Sequence, residues 1–279
     1  MNKVNQLIVG LLLLSSILLP ARSEAQDKKP LYFGSVAMDI PAVMHIRLTP
    51  LTEYLSEELG RPVILKLSPN MPAAIKAVAN KEVDFAYLTP VAYVKANKMG
   101  QSQVVVKTVT NNKPYFQLMI VVRNDSDIKT VGDLVGKHFA FGDRAALLQR
   151  VVVTGAGMPL EKLGQYSFIG HYDNIVRGVL NRDYDAGILK DTLAYKWQGK
   201  GVRILHTSPE LPPYNIAASA KVSKELYKKL QQAFTKLDIN NPEHKKVINA
   251  LGFKYSGFIA ANDADYNIVR KLIKPFEKK

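Results

Sequence analysis

The residues best suited to chemistry stand where short apolar stretches give way to helix-like stretches. Arg144 follows Asp143 at one such point, His171 opens a second, and Asp191 lies at a third. A helix N-terminus carries unpaired N–H groups and partial positive charge, which favours anions. An arginine beside it can bind a carboxylate or phosphate bidentately, and a histidine there offers a donor and an acceptor. These residue types predict the binding of an anion.

Other junctions of the same kind extend the set of candidates. They fall at 38–47, 68–71, 89–93, 143–146, 170–174 and 190–192. Ligands of open α/β sheets bind beyond the carboxyl ends of the strands, so Met38, Asp39 and Ala145 join the candidates. Simpler interpretations stay open, because Asp143 and Asp191 would also serve as N-caps worth about 1 kcal/mol each. Arg144 is equally compatible with an ordinary surface arginine. His171 is equally compatible with a residue selected for packing at the start of its helix.

The sequence has no pattern typical of a common enzyme. It contains no H-E-x-x-H, G-x-S-x-G or G-x-x-x-x-G-K-S/T, and it has no cysteine. Its five histidines are far apart and lack the spacing of metal ligands. The glycines at 155 and 157 follow a predicted helix instead of a strand, which is a poor context for a phosphate loop. We therefore expect neither catalysis nor a metal or cofactor, with an enzyme using His171 as a minor alternative.

An alternation of strands and helices positions the candidates. Predicted strands fall at 31–36, 63–67, 83–88, 103–110, 116–122, 138–141, 166–169, 186–189 and 216–220. The helices between them show apolar residues at helical spacing, and Thr89 with the proline at 90 forms a typical helix start. The order β-α-β-α predicts mostly parallel sheets covered by helices.

Two segments of the chain are closely alike. Residues 75–88 read IKAVANKEVDFAYL and residues 176–189 read VRGVLNRDYDAGIL, and they match by class at most positions without a gap. Each predicts a helix end, a charged turn and a short apolar strand. One repeat at a large offset differs from the short period of a solenoid. It indicates two similar α/β lobes, and ligands commonly bind in the cleft between two lobes.

The first 25 residues resemble a secretory signal peptide. Lys3 precedes an apolar run at 7–19, and small residues lead to cleavage after Ala25. The run is too short for a comfortable membrane span. We therefore expect an exported, soluble, periplasmic protein, in which the lack of cysteine excludes disulfides, thiolate metal sites and a lipidated N-terminal cysteine.

The chain is strongly basic, with a formal net charge of +14. Export and the scattered lysines argue against nucleic-acid binding, and no known nucleic-acid motif is present. Solubility explains most of such a charge. Steering of an anionic ligand, or attraction to an anionic membrane surface, remains compatible with it.

Several segments together resemble one family. They are PLTEYL at 50–55 with Gly60, VDFAYLTPVAY at 83–93, VVRNDS at 121–126, DLVGK at 133–137, FAFGD at 139–143, His171, and YDAG at 184–187. The set is similar to the periplasmic solute-binding proteins of phosphate, phosphite and phosphonate ABC transporters, the PhnD-like family. The resemblance spans nearly the whole chain after the signal peptide.

The resemblance implies a type II periplasmic binding fold, in which two lobes close on a ligand held in the cleft between them. Residues 26–115 with 210–279 would form lobe 1, and residues 116–209 would form lobe 2. By the same resemblance, Thr89 and Tyr93 would line the first-lobe wall. Asp143 would mark the anion pocket of the second lobe, with His171 as the cleft histidine and Asp191 as a polar contact.

One departure from the family changes the expected ligand. Family members usually follow their Gly-Asp with a Ser-Thr-Ser-like run whose hydroxyls hold the phosphonate, but Asp143 is followed here by Arg144, Ala145 and Ala146. Each lost hydrogen bond to a charged ligand would cost roughly 1.5–3 kcal/mol. A phosphonate would still find backbone N–H groups and Arg144, and a carboxylate or another organic solute is as credible.

The expected function is that of a monomeric solute-binding protein of an ABC importer. It would trap a small anionic solute between its lobes and present it to a permease in the inner membrane. The alternative is a ligand-sensing module that signals to a membrane receptor kinase. Neighbouring genes for a permease and an ATPase would favour the first function, and a histidine kinase gene the second.

Overall fold

Two β-sheets with helices packed against them make up the described part of the molecule. The computed structural model describes residues 29–35, 41–252 and 254–277. The predicted signal peptide and the candidates Met38 and Asp39 lie outside these residues. The mixed α/β fold with one sheet in each lobe confirms the predicted fold class.

The elements follow one another in the alternating order that the sequence predicts. The strands are β1 (Leu31–Ser35), β2 (Val63–Leu67), β3 (Phe85–Leu88), β4 (Gln103–Thr110), β5 (Leu118–Arg123), β6 (His138–Phe141), β7 (Gln165–Phe168), β8 (Ala186–Lys190), β9 (Val202–Thr207), β10 (Asn215–Ala218) and β11 (Tyr255–Ala260). The α-helices are α1 (Pro41–Leu59), α2 (Met71–Ala79), α3 (Pro90–Gly100), α4 (Leu147–Gly155), α5 (Tyr172–Leu180), α6 (Asp191–Trp197), α7 (Lys224–Lys236), α8 (Pro242–Leu251) and α9 (Asn267–Ile273). Short 3₁₀ turns cover Val131–Leu134, Leu160–Lys162, Asp263–Tyr266 and Lys274–Phe276.

The first sheet has six strands in the order β11-β4-β10-β3-β1-β2. Strands β1, β2 and β3 are parallel, whereas β10 runs antiparallel to both β3 and β4. The late strand β10 therefore occupies the middle of a sheet whose other central strands come from the start of the chain.

The second sheet has five strands in the order β7-β6-β8-β5-β9. Strands β6, β7 and β8 are parallel, and β5 is antiparallel to β8 and β9. The chain passes between the sheets after β4 and after β9, close to the predicted lobe limits at 115/116 and 209/210. Those limits stay a prediction.

The repeated segments form the same helix–turn–strand unit in each sheet. Asn80 ends α2 and Asn181 ends α5 with the same pair of backbone hydrogen bonds to the helix. Lys81 and Arg182, the next residues, both have a left-handed backbone, with φ of 66° and 71°. Such a turn reverses the chain tightly enough to bring the following strand back along its helix. The repeat therefore records a shared backbone geometry as well as similar residue types.

An aspartate at the same place of each repeat joins that strand to its neighbour. Asp84 Oδ2 accepts the N–H of Tyr32 at 2.7 Å, and Asp185 Oδ2 accepts the N–H of His138 at 2.8 Å. In return, the Asp84 N–H donates to the Tyr32 carbonyl and the Asp185 N–H to the His138 carbonyl. Each aspartate thus extends the parallel pairing by one reciprocal contact, which fixes the register of the strands that lead into the site.

Aromatic side chains form the centre of the first-lobe core. Phe33 and Phe85 stack with ring centroids 4.9 Å apart, and Phe234 from α7 meets Phe85 edge-on at 6.5 Å. All of these rings are fully buried. Within the described ranges, no helix combines the length and the hydrophobicity needed to cross a bilayer.

A further core is continuous between the lobes. It includes Tyr93 of α3, Ile120 of β5 and Val153 of α4. The C-terminal helix α9 packs on both α3 and α4, and Gly155 of α4 faces the side chain of Leu272. The lobes are therefore joined by a shared helix as well as by the two crossing segments.

Candidate functional site

Three strand-to-helix turns of the second lobe meet at one edge of its sheet. They follow β7, β6 and β8, which are adjacent in the sheet, and they carry His171, Asp143–Ala146 and Asp191. Parallel strands end at the same edge, where ligands of open α/β sheets bind. The structure thus brings together the second-lobe candidates that the sequence separates.

The turn after β6 does not begin its helix where the sequence predicts. Asp143 Oδ1 accepts the N–H of Ala145 at 2.7 Å, and the Asp143 carbonyl accepts the N–H of Ala146 at 2.9 Å. Helix α4 begins only at Leu147, with Ala146 at the N-cap position and no side-chain cap. The N-cap interpretation of Asp143 is therefore wrong, because its carboxylate stabilises a preceding turn. Asp143, Arg144 and Ala145 stand exposed on that turn.

Two arginines share one aromatic ring beside this turn. The guanidinium carbon of Arg144 lies 4.6 Å from the ring centroid of Phe168, and that of Arg150 lies 5.5 Å from it. Arg150 also donates from Nη2 to the Arg144 carbonyl at 3.0 Å. The ring orients both cations by cation–π attraction, so this corner of the lobe concentrates positive charge.

His171 lies at the N-cap position of α5 and is exposed to solvent. Its side chain makes no capping hydrogen bond. The helix start is held instead by Asn174, whose Nδ2 donates to the Ile169 carbonyl at 2.9 Å. The His171 ring is thus not needed to cap the helix, in keeping with a ligand contact that stays a prediction.

A buried glutamine links the turns after β6 and β7. Gln149 Oε1 accepts the N–H of Gly142 at 2.7 Å, and its Nε2 donates to the Tyr172 hydroxyl at 3.3 Å. The Gly170 N–H also donates to the Gly142 carbonyl at 3.2 Å. Since Gly142 precedes Asp143 and Gly170 precedes His171, these bonds fix the spacing between the two candidate residues.

Asp191 is a structural residue of the crossing region. Its Oδ2 accepts the N–H of Gln117 at 3.1 Å and its Oδ1 that of Thr192 at 2.7 Å. The side chain is buried, and Asp191 is the first residue of α6 with Lys190 at the N-cap position. The N-cap interpretation is therefore wrong here too, because the carboxylate reaches back to the start of β5.

Replacing Asp191 should loosen this region. In Asp191→Ala the N–H groups of Gln117 and Thr192 lose their acceptor, and we expect a loss of about 1–3 kcal/mol in the free energy of unfolding. Urea unfolding measures the loss. Asp173→Ala is the matched control, because Asp173 is an exposed carboxylate at the start of α5. An equal effect of both changes would contradict the role given to Asp191.

The two first-lobe candidates, Thr89 and Tyr93, have different structural roles. Thr89 caps α3 by accepting the N–H of Ala92 at 3.2 Å, as its sequence predicts. Tyr93 is fully buried, donates its hydroxyl to Asp263 at 2.6 Å, and meets Tyr266 edge-on. Its ring therefore packs between α3 and the C-terminal segment, which argues for a core role and against a ligand contact.

A small cavity of about 110 Å³ lies where the chain crosses between the lobes. Its walls include Thr110 and Lys113 from one lobe and Lys190, Asp191 and Tyr195 from the other. Burial lowers the pKa of Lys190, and the Asp191 carboxylate opposes that shift. From the sequence, Lys190 is predicted only as part of the junction at 190–192. In the structure its ammonium lies 5.5 Å from the ring centroid of Phe116. This contact forms because the chain crosses between the lobes next to Phe116, which the sequence does not show.

Metal binding finds no support among the described residues. No three histidine, aspartate or glutamate side chains of that part stand close enough together to hold an ion. Arg144 and Arg150 bring two positive charges to the second-lobe edge, beside the exposed carboxylate of Asp143. Guanidinium groups suit an anion held by hydrogen bonds.

A family of known proteins matches most of the chain. Its sequence model, described as "ABC transporter, phosphonate, periplasmic substrate-binding protein", matches residues 33–266. A curated relative, the phosphate-import protein PhnD of Mycolicibacterium smegmatis, is 24% identical over 251 residues, covering 80% of this chain and 78% of that protein.

Solved structures share the fold at low identity. PhnD1 from Prochlorococcus marinus in complex with methylphosphonate has a TM-score of 0.72 and 19% identity, covering 90% of this chain and 99% of that chain. XAC2383 from Xanthomonas citri, bound to chloride ion, has a TM-score of 0.75 and 17% identity, covering 89% of this chain and 98% of that chain. The chain thus shares its overall fold with these two proteins.

Proposed function

Because the chain belongs to the family of periplasmic substrate-binding proteins of phosphonate ABC transporters, we propose that it binds a small phosphonate- or phosphate-like anion between its lobes. The bound solute is then presented to a permease of the inner membrane. The family is one of substrate-binding components of importers and not of enzymes. This agrees with the absence of catalytic motifs from the sequence.

The main support for the proposed ligand is the arrangement of residues at the edge of the second-lobe sheet. The exposed turn at 143–146, with Arg144 and Arg150 beside it, faces the same side as His171. The Arg144 guanidinium replaces the hydroxyl donors that the family's usual run would supply, since the N–H groups of Ala145 and Ala146 already donate to Asp143. We propose Asp143, Arg144, Ala145 and His171 as the second-lobe wall, and Thr89 as its first-lobe counterpart.

Direct binding measurements test the proposal. Thermal shift and calorimetry on the purified protein should detect methylphosphonate, phosphite or phosphate, with stabilisation that grows with ligand concentration. A carboxylate such as succinate serves as the competing class. Failure of every phosphorus oxyanion to shift the melting temperature or to release heat would overturn the proposed ligand class.

Arg144 is the side chain whose removal should weaken the anion most clearly. We expect Arg144→Ala to lower the affinity about tenfold or more, because a charged donor to the oxyanion is lost, at about 1.5–3 kcal/mol. Calorimetry with the tightest phosphorus oxyanion measures the change. Arg177→Ala is the control, since Arg177 is an exposed arginine of α5 that donates to Asn174. Unchanged affinity in Arg144→Ala would remove Arg144 from the site.

Transport is favoured over sensing by the curated relative, which is named for phosphate import. We further propose that residues 1–25 act as a signal peptide, which directs export and is cleaved near Ala25. We also propose that the mature protein is a monomer. N-terminal sequencing of the exported protein tests the cleavage position. Coexpression with a permease and an ATPase, followed by uptake measurements, distinguishes transport from signalling to a receptor kinase.

A further inference from the structure

A cavity of about 290 Å³ in the first lobe contains a cluster of tyrosines that the site described so far does not use. Tyr87, Tyr214 and Tyr255 line it together with Arg47, and Met44 and Leu251 add apolar surface. The tyrosines come from β3, from the segment before β10 and from β11. The cavity therefore lies where three separate parts of the chain meet one face of the first sheet.

The tyrosines form a connected group. The hydroxyl oxygens of Tyr87 and Tyr255 are 2.8 Å apart, and the rings of Tyr87 and Tyr214 have centroids separated by 5.4 Å. Burial raises the pKa of Tyr87 well above its ordinary value, and burial also raises that of Tyr255. The positive charge of Arg47, which lines the same cavity, opposes both shifts. At neutral pH the phenols are thus protonated hydrogen-bond donors.

The cavity lies at the cleft side of the lobe. Tyr87 is the penultimate residue of β3, the strand that leads to Thr89, and Tyr214 directly precedes β10. Burial raises the pKa of Tyr214, and neighbouring Tyr255 and Tyr172 add to the shift. Asn215, the first residue of β10, pairs with Leu88 at the end of β3, so the tyrosine cluster lies at the carboxyl edge of the first sheet, where ligands of open α/β sheets bind.

The chemistry of the lining selects one class of ligand group. Arg47 and the phenol hydroxyls favour an anion or a strong hydrogen-bond acceptor, while the aromatic faces with Met44 and Leu251 accept a carbon skeleton. Among the described lining residues there is no carboxylate that would attract a cation. The volume suits a group of several atoms, at the lower end of ligand cavities of roughly 300–1,000 Å³.

We propose that this tyrosine cavity binds the second end of the solute, and that the solute is an organophosphonate or organophosphate whose carbon skeleton ends in a carboxylate. The inference rests on the proposed function, because it takes the phosphorus oxyanion to lie against the second-lobe wall. Arg47 and the phenol hydroxyls hold the carboxylate, and the tyrosine rings cover the carbon chain. Closure of the lobes then encloses both charged ends.

Calorimetry with three small phosphonates tests the inference on the full mature protein. We expect 3-phosphonopropionate to bind at least about tenfold more tightly than methylphosphonate, since one added hydrogen-bonded charge is worth roughly that factor or more. The cationic 2-aminoethylphosphonate should bind no better than methylphosphonate, because Arg47 repels its ammonium group.

Single hydroxyl deletions connect the preference to the cavity. Tyr214→Phe and Tyr87→Phe keep the rings in place, and each should weaken 3-phosphonopropionate about five- to tenfold while leaving methylphosphonate unchanged. Tyr227→Phe is the matched control, because the Tyr227 hydroxyl donates to the Val104 carbonyl at 2.6 Å away from the cavity. Equal loss in Tyr227→Phe and Tyr214→Phe would overturn the assignment.

The remaining outcomes separate the inference from the function on which it rests. If methylphosphonate binds as well as 3-phosphonopropionate, or if 2-aminoethylphosphonate binds best, the tyrosine cavity does not hold a carboxylate although the proposed function stands. If no phosphorus oxyanion binds, the proposed function fails first and the inference falls with it.

Discussion

Gly142→Ala is expected to weaken ligand binding by about tenfold or more, a loss of roughly 1.4 kcal/mol in binding free energy. A Cβ at Gly142 would lie 2.8 Å from Gln149 Nε2 and 2.9 Å from the Gly170 carbonyl oxygen. The carbonyl belongs to the backbone, so the turns before Asp143 and His171 must move apart. We also expect a loss of about 1–3 kcal/mol in the free energy of unfolding, as is usual for overpacking.

Calorimetry and urea unfolding on the same preparation separate these effects. Gly132→Ala is a suitable control in the same lobe, because a Cβ there meets only Thr130 Oγ1 at 3.5 Å. It should leave affinity and stability near those of the unchanged protein. Normal affinity in Gly142→Ala would mean that the spacing of the two turns does not matter for the ligand.

Phe85→Ala should cost about 3–5 kcal/mol in the free energy of unfolding, as large aromatic-to-alanine changes in cores do. The ring is fully buried, stacks on Phe33 and meets Phe234 edge-on, so its removal leaves a void between β1, β3 and α7. Urea or thermal unfolding measures the loss. Phe85→Ala should also lower the affinity for the ligand, because β3 contains Tyr87 and leads to Thr89.

An exposed side chain of similar bulk provides the comparison. Met99 of α3 is 56% exposed, so Met99→Ala should change stability by no more than about 0.5 kcal/mol. A loss in Phe85→Ala no larger than that of Met99→Ala would show that the first-lobe core does not depend on the stacked rings.

The repeated segments are where sequence and structure agree most closely. The match of 75–88 with 176–189 predicts a helix, a charged turn and a strand, and the structure adds the left-handed residues Lys81 and Arg182 at the same place. Short-range interactions determine the structure of such helix–turn–strand units, because the helix end, the turn and the aspartate all lie within a few residues of one another. That is why they can be predicted from one sequence.

The meeting of the second-lobe turns was predictable for a different reason. Once β6, β7 and β8 are parallel neighbours, the residues after them must share an edge. Thr89 caps α3 as predicted, but the caps of the second lobe were not predictable to the residue. Asp143 and Asp191 both bind backbone N–H groups, but competition among nearby donors selected other partners than those of an N-cap.

Sequence reasoning overlooked the segment that contains α8 and β11. Asn241 followed by Pro242 is a helix-start signal, and Asn241 Oδ1 accepts the N–H groups of Glu243 and His244. Without β11 the cluster of Tyr87, Tyr214 and Tyr255 could not be anticipated. Its members become neighbours only through the strand order β11-β4-β10-β3, which no local pattern specifies.

That strand order also has a consequence for how the molecule is made. The five-stranded sheet comes from one continuous stretch, Leu118 to Thr207, whereas the six-stranded sheet needs β10 at its middle. Until β10 arrives, β3 and β4 have open edges of the kind that invite wrong pairing. The part of the chain that is synthesised first is thus the part that finishes folding last. Its unfinished edges are where a chaperone would have the most to protect.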